Sequence, residues 1–124
     1  MMRGIRGATT VPRNGAEEIL EATSELLVEM LGRNGLAPQD TERICSIIFT
    51  VTQDLNATFP AEAARALGMT MVPLLNAQEI AVPGRLQRVI RVMMHVETAA
   101  RQREVRHVYL RGAEVLRPDL HSAQ

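Results

Sequence analysis

The run Ile44-Cys-Ser-Ile-Ile-Phe-Thr-Val51 constrains the fold of this chain more than any other feature. Eight residues rich in β-branched and apolar side chains predict a β-strand buried on both faces. Such a strand needs neighbours, and several segments qualify. Residues 3 to 11 mix β-branched positions with Gly4 and Gly7, predicting a strand whose backbone is closely approached by another element. Asn14 with Glu17 three residues on matches a helix-capping pattern. Ile19, Leu20, Thr23, Leu26, Leu27, Met30 and Leu31 then recur at helical spacing, and Gly32 and Gly35 end the helix. Asp54 to Phe59 reads as loop, and Pro60 opens a short helix, Ala61 to Leu67, stopped by Gly68. Met71 to Leu75, Leu86 to Val96 after the Pro83-Gly84 turn, and Val105 to Leu110 complete the strands. The fold class predicted is α+β: a mixed sheet of about five strands with one long and one short helix.

At 124 residues the chain is the size of one domain spanning 1–124, able to bury roughly two thirds of its unfolded surface, with a mobile tail expected from about His121. No apolar stretch approaches the roughly 18 residues of a membrane span, and the start, Met1-Met2-Arg3-Gly4-Ile5-Arg6, is too polar for a signal segment. A soluble cytoplasmic protein is expected, with Cys45 as a buried reduced thiol. Acidic and basic residues balance at 14 each, and only Phe49, Phe59 and Tyr109 are aromatic. Neither the positive field nor the stacking surface of a nucleic-acid binder is present. All 14 basic residues are arginine. The bias reaches exposed positions such as Arg101 and Arg103, so base composition or heat adaptation explains it better than ligand binding, and each arginine is judged by position.

The serines lack a nucleophile-elbow context, the three histidines lack ligand spacing, and no glycine-rich phosphate loop follows a strand. Charge inside apolar strands remains. In Arg88-Val-Ile-Arg-Val-Met-Met-His-Val96, Arg91 shares a face with Val89 and Met93 and needs a partner. Its strand context alone favours a structural salt bridge over an anionic ligand. Tyr109 reads equally as a core residue or a hydroxyl donor. Glu79, just past a strand, reads first as a solvated loop acid.

Taken in order, Arg3-Gly-Ile-Arg-Gly-Ala-Thr-Thr-Val11, Asp54-Leu55 with Phe59-Pro-Ala61, Val72-Pro73, Gln78-Glu79, Ile90-Arg-Val-Met-Met94, Arg106-His-Val-Tyr-Leu110 and Leu116-Arg-Pro-Asp-Leu120 resemble the small monofunctional chorismate mutases of the trimeric α/β-barrel, AroH type. The resemblance spans nearly the whole chain. It implies a homotrimeric pseudo-α/β barrel with active sites between subunits, and the Claisen rearrangement of chorismate to prephenate in aromatic amino-acid biosynthesis. No cofactor, metal or covalent intermediate is implied.

By that resemblance Arg91 donates to the ether oxygen, Arg6 and Tyr109 hold a carboxylate in the compact reactive conformer, and Glu79 binds the ring hydroxyl. Phe59, Ala61, Leu75 and Leu116 supply apolar walls, and Arg65 and Arg117 shape the entrance. Leu75 and Asn76 stand where the best-known members carry a Thr-Cys pair; Asn76 retains the capacity to hydrogen-bond substrate. Glu62 replaces a cation at the entrance, so weaker steering is expected with the chemistry intact. Two other readings compete: a small trimeric imine deaminase of similar architecture, and a non-catalytic trimer binding an aromatic-pathway metabolite. Ile90 to Met94 and Leu116 to Leu120 favour the mutase over the first. Arg6, Glu79, Arg91 and Tyr109 together argue against the second.

Overall fold

In the computed structural model, residues 1–117 are described. Pro118, Asp119 and Leu120 of the last motif, and the tail expected from about residue 121, lie outside them. Five strands among these residues form one sheet: β1 (Met2–Thr10), β2 (Ile44–Val51), β3 (Leu74–Gln78), β4 (Val89–Glu97) and β5 (Val108–Tyr109), ordered β3-β2-β4-β1-β5. β4 runs antiparallel to β1 and β2, while β3 and β5 pair in parallel with β2 and β1. Helices α1 (Ala16–Gly32) and α2 (Ala61–Ala66) complete the predicted α+β set. No helix of the described residues is long and apolar enough to cross a membrane.

One face of the sheet carries the core. Ile5, Ile44, Ile47, Phe49, Val92, Met94 and Val96 pack against Leu26, Leu27, Met30 and Leu31 of α1 and Ala61 and Ala64 of α2. Gly7 is where the helix comes closest: a Cβ there would lie 2.4 Å from Met30 Sδ. The close approach expected at the β1 glycines is therefore α1 itself at Gly7, whereas a Cβ at Gly4 would meet only Met93 Sδ of the neighbouring strand, at 3.4 Å. At the other end of α1, Leu36 N–H donates to Leu31 O at 2.8 Å across Gly35, whose φ is +70°. Gly35 supplies the left-handed residue of that stop, and Gly32 remains the last helical residue.

Several local expectations are corrected. Gly15, not Asn14, caps α1, because the Asn14 side chain is committed elsewhere. Its Oδ1 accepts the N–H groups of Asn56 and Ala57 at 3.0 and 3.1 Å, tying β1 to the loop after β2. β2 is buried on one face only, with Ser46, Ile48 and Thr50 half-buried on the other. A bulge between Ile44 and Ser46 adds Cys45 to the strand, so the thiol is half-buried instead of enclosed. β3 begins at Leu74 because Pro73 contributes only its carbonyl, which accepts Ile47 N–H at 3.0 Å. β4 begins at Val89 because Arg88 holds φ +51°, its N–H bonded to both carboxylate oxygens of Asp54. β5 shrinks to two residues because the Asn34 side chain takes both backbone groups of Arg106, each at 2.9 Å, before a ladder can form.

Candidate active site

The face of the sheet opposite α1 gathers the predicted charges. Antiparallel and parallel registers place Tyr109, Ala8, Arg91, Thr50 and Ala77 in one row across all five strands. Arg6, Met93, Ile48 and Leu75 form the adjacent row. Residues opposite one another share a face, so Arg6, Arg91 and Tyr109 belong to one surface although they lie up to 103 positions apart in sequence. Glu79 joins them from just past β3. Its N–H donates to Val51 O at 2.7 Å, extending the ladder by one residue, and its side chain turns back over the sheet.

There, Glu79 Oε1 lies 3.4 Å from Arg91 Nε, and Oε2 accepts a hydrogen bond from Thr50 Oγ1. Arg91 Nε is buried and makes no hydrogen bond to any described residue. Both side chains of the ion pair are about a third exposed, 31% and 29%. A pair of this kind contributes at most about 1 kcal/mol, a poor return for placing a guanidinium among apolar strands. A donor held in place with its own hydrogen-bonding capacity unspent is suited to an acceptor that arrives with a ligand.

Arg6 is fixed through its backbone, whose N–H donates to His107 Nδ1 at 2.9 Å. The accepting ring must be neutral at that nitrogen. Burial first, and then the Arg6 charge, hold the His107 pKa below its ordinary 6.5. A depressed folded-state value means that the unfolded chain binds the proton more readily, so the stabilisation is complete above about pH 6.5 and is lost as pH falls through the folded value. Chemical denaturation from about pH 7.5 down to pH 5 is expected to show this decline. His107→Asn, which keeps an acceptor and removes the titration, is expected to flatten it.

The remaining expected residues are more dispersed. Leu116 is buried with Ala8, Val89 and Ala113, and Tyr109 packs against that cluster, so it adjoins the charged row. Phe59 and Asn76 line a cleft of about 500 Å³ at the β3 edge together with Val51, Leu55 and Glu62. Arg6, Glu79, Arg91 and Tyr109 do not line this cleft. Ala61 is fully buried in the main core, and its N–H is bound by Asn76 Oδ1 at 3.1 Å. Asn76 thus satisfies a free amide at the start of α2, where Pro60 offers no side-chain cap. Leu75, 60% exposed, presents an apolar surface beside Ile48, and Arg65 is exposed at the end of α2. Arg117 is the last residue described, half-buried beyond Leu116. Thr50 and His107 are further residues of this surface, outside the set that the sequence predicts. For Thr50 the available signal was the alternation of Ser46 and Thr50 through an otherwise apolar strand.

The sequence profile of the family described as chorismate mutase type I matches residues 2–120. Chorismate mutase AroH of Thermus thermophilus is 57% identical over 124 residues, covering 100% of both chains. Chorismate mutase AroH of Bacillus subtilis is 48% identical over 121 residues, covering 97% of this chain and 93% of the relative. A solved chorismate mutase from Clostridium thermocellum superposes with a TM-score of 0.86 at 55% identity, over 91% of this chain and 98% of that one.

Proposed function

This chain belongs to the type I chorismate mutase family and is an isomerase of chorismate to prephenate, and we propose that it acts as one 124-residue domain through the charged row around Arg91. The imine-deaminase alternative is set aside by the family match.

The reaction breaks an ether C–O bond and forms a C–C bond within one molecule, so the protein has no nucleophile or proton relay to supply. It must select a compact conformer and stabilise charge where the bond breaks. The single observation that carries the residue assignment is the buried Arg91 Nε, unbonded among the described residues and 3.4 Å from Glu79. Arg91 stabilises negative charge developing on the ether oxygen, a preorganised role worth most where water is excluded. Glu79 receives the ring hydroxyl. Arg6 and Tyr109 hold a carboxylate, with Phe59, Ala61, Leu75, Asn76 and Leu116 shaping the pocket and Arg65 and Arg117 its entrance.

The working enzyme is a cytoplasmic homotrimer. Gly4, Arg6, Ser46, Ile48, Met93 and His95 are half-buried on the sheet face opposite α1, and Leu75 is exposed. A sheet is stable with an apolar layer on its second side, and neighbouring copies supply one here, completing each site. Light scattering should give three times the 13.7 kDa chain mass. Purified protein should convert chorismate quantitatively to prephenate in the presence of a chelator. Failure to form prephenate would overturn the functional reading, including its preference over a non-catalytic metabolite-binding trimer.

Glu62 is exposed in the first turn of α2 and lines the cleft with Phe59 and Asn76. Glu62→Lys is expected to raise kcat/KM about threefold at low ionic strength, with the gain fading as salt shortens the screening length to about 10 Å or less. A gain independent of salt would remove the steering explanation.

A further inference from the structure

Thr50 stands between the two halves of the charged row. Its Cα partners are Arg91 on β4 and Ala77 on β3, and its hydroxyl donates to Glu79 Oε2. The other carboxylate oxygen, Oε1, faces Arg91 Nε at 3.4 Å without a hydrogen bond. A carboxylate beside a guanidinium is ordinarily drawn into a shorter, often bidentate pair of about 2.7–2.9 Å. The Glu79 backbone is anchored to Val51 O, leaving the side-chain torsions free to close that gap. The Thr50 hydroxyl supplies the opposing pull. β-Branching restricts the Thr50 side-chain rotamers, so the hydroxyl direction is largely set by the strand.

We infer that Thr50 is a positioning residue that holds Glu79 away from a closed ion pair with Arg91 and so keeps the guanidinium available to the reacting ether oxygen. This rests on the roles proposed for Arg91 and Glu79. Without the hydroxyl, Glu79 collapses onto Arg91 and occupies donors that the transition state needs. Carboxylate binding through Arg6 and Tyr109 is left in place, and the ground state loses only part of the Glu79 contact to the ring hydroxyl. Thr50 therefore affects kcat more than KM.

The test compares Thr50→Val, Thr50→Ala and Thr50→Ser as full-length enzymes on chorismate, with thermal unfolding recorded for each. Expected are a fall in kcat of about tenfold or more for the valine and alanine variants, KM changed less than about threefold, and serine within about threefold of the parent. If valine fails to fold, the alanine and serine variants decide between them, since both are smaller than threonine and only one retains the hydroxyl. Near-parental kcat in the hydroxyl-free variants, a serine variant as slow as alanine, or a loss confined to KM would overturn the inference. Arg91→Ala measured in parallel separates the two levels. Full activity there defeats the proposed site itself, whereas its loss alongside unaffected Thr50 variants defeats only the role of Thr50.

Discussion

Replacing Arg91 with alanine is expected to lower kcat/KM for chorismate by about 10²- to 10³-fold, the range for removing one preorganised donor from a site of developing negative charge. Most of the loss should fall on kcat, because the ether oxygen gains charge only as its bond breaks. Arg91→Lys is expected to remain severely impaired. An ammonium is a compact, strongly hydrated point charge on a flexible stem and does not present the planar fork. Arg91 itself is held between Ala8 on β1 and Thr50 on β2, on the central strand of the sheet. Near-native turnover by either variant in steady-state assays would contradict the role given to it.

Phe49→Ala is expected to be the most costly substitution for the fold, destabilising it by about 3–5 kcal/mol. Phe49 is completely buried on the helix-facing side of β2, paired with Val92 and Asn76. Truncation leaves a cavity against the cluster that also contains Ala61 and Ala64 of α2. The same strand presents Thr50 to the site one residue later, so packing on one face sets the position of the hydroxyl on the other. Urea denaturation at fixed protein concentration is the appropriate measurement, since assembly would couple stability to concentration. The midpoint should fall with the slope preserved, and a shift under about 1 kcal/mol would show that the site collapses around the smaller side chain.

The periodicities that locate α1 and β2 are local properties of the chain, and β2 is legible to its ends because its apolar run begins at Ile44 and ends at Val51, as the strand does. What escaped were outcomes decided by partners distant in sequence. Asn14 has a capping side chain, yet two backbone amides beyond residue 55 compete for its oxygen and win. Val105 to Leu110 has strand composition, yet the Asn34 amide binds Arg106 from the end of α1 and confines pairing to Val108 and Tyr109. Composition predicts burial of β2 on both faces, while the bulge at Cys45 and the polar alternation of Ser46 and Thr50 leave one face half-open.

The site divides in the same way. Arg91 was visible as a charge in an apolar strand, and family resemblance, not strand context, selected a ligand over a salt bridge. The geometry adds that a salt bridge to Glu79 exists and is loose, with the buried Nε making no hydrogen bond to a described residue. Thr50 stayed hidden because a threonine in a strand is ordinary until register sets it opposite Arg91 and Glu79 folds back onto it. Asn76, expected at the substrate, gives its oxygen to the start of α2, which leaves its NH₂ group as the part able to reach a ligand.

The most direct test of Arg91 as a donor to the breaking ether bond is the affinity of a rigid bicyclic ether dicarboxylate shaped like the rearranging transition state, measured by competitive inhibition of the parent enzyme and by calorimetry with Arg91→Ala. Such an analogue should bind the parent enzyme far more tightly than chorismate does. Arg91→Ala should weaken it by about the factor lost from kcat/KM, 10²- to 10³-fold, with a much smaller change for chorismate. Unchanged analogue affinity in a variant that has lost its activity would contradict the account.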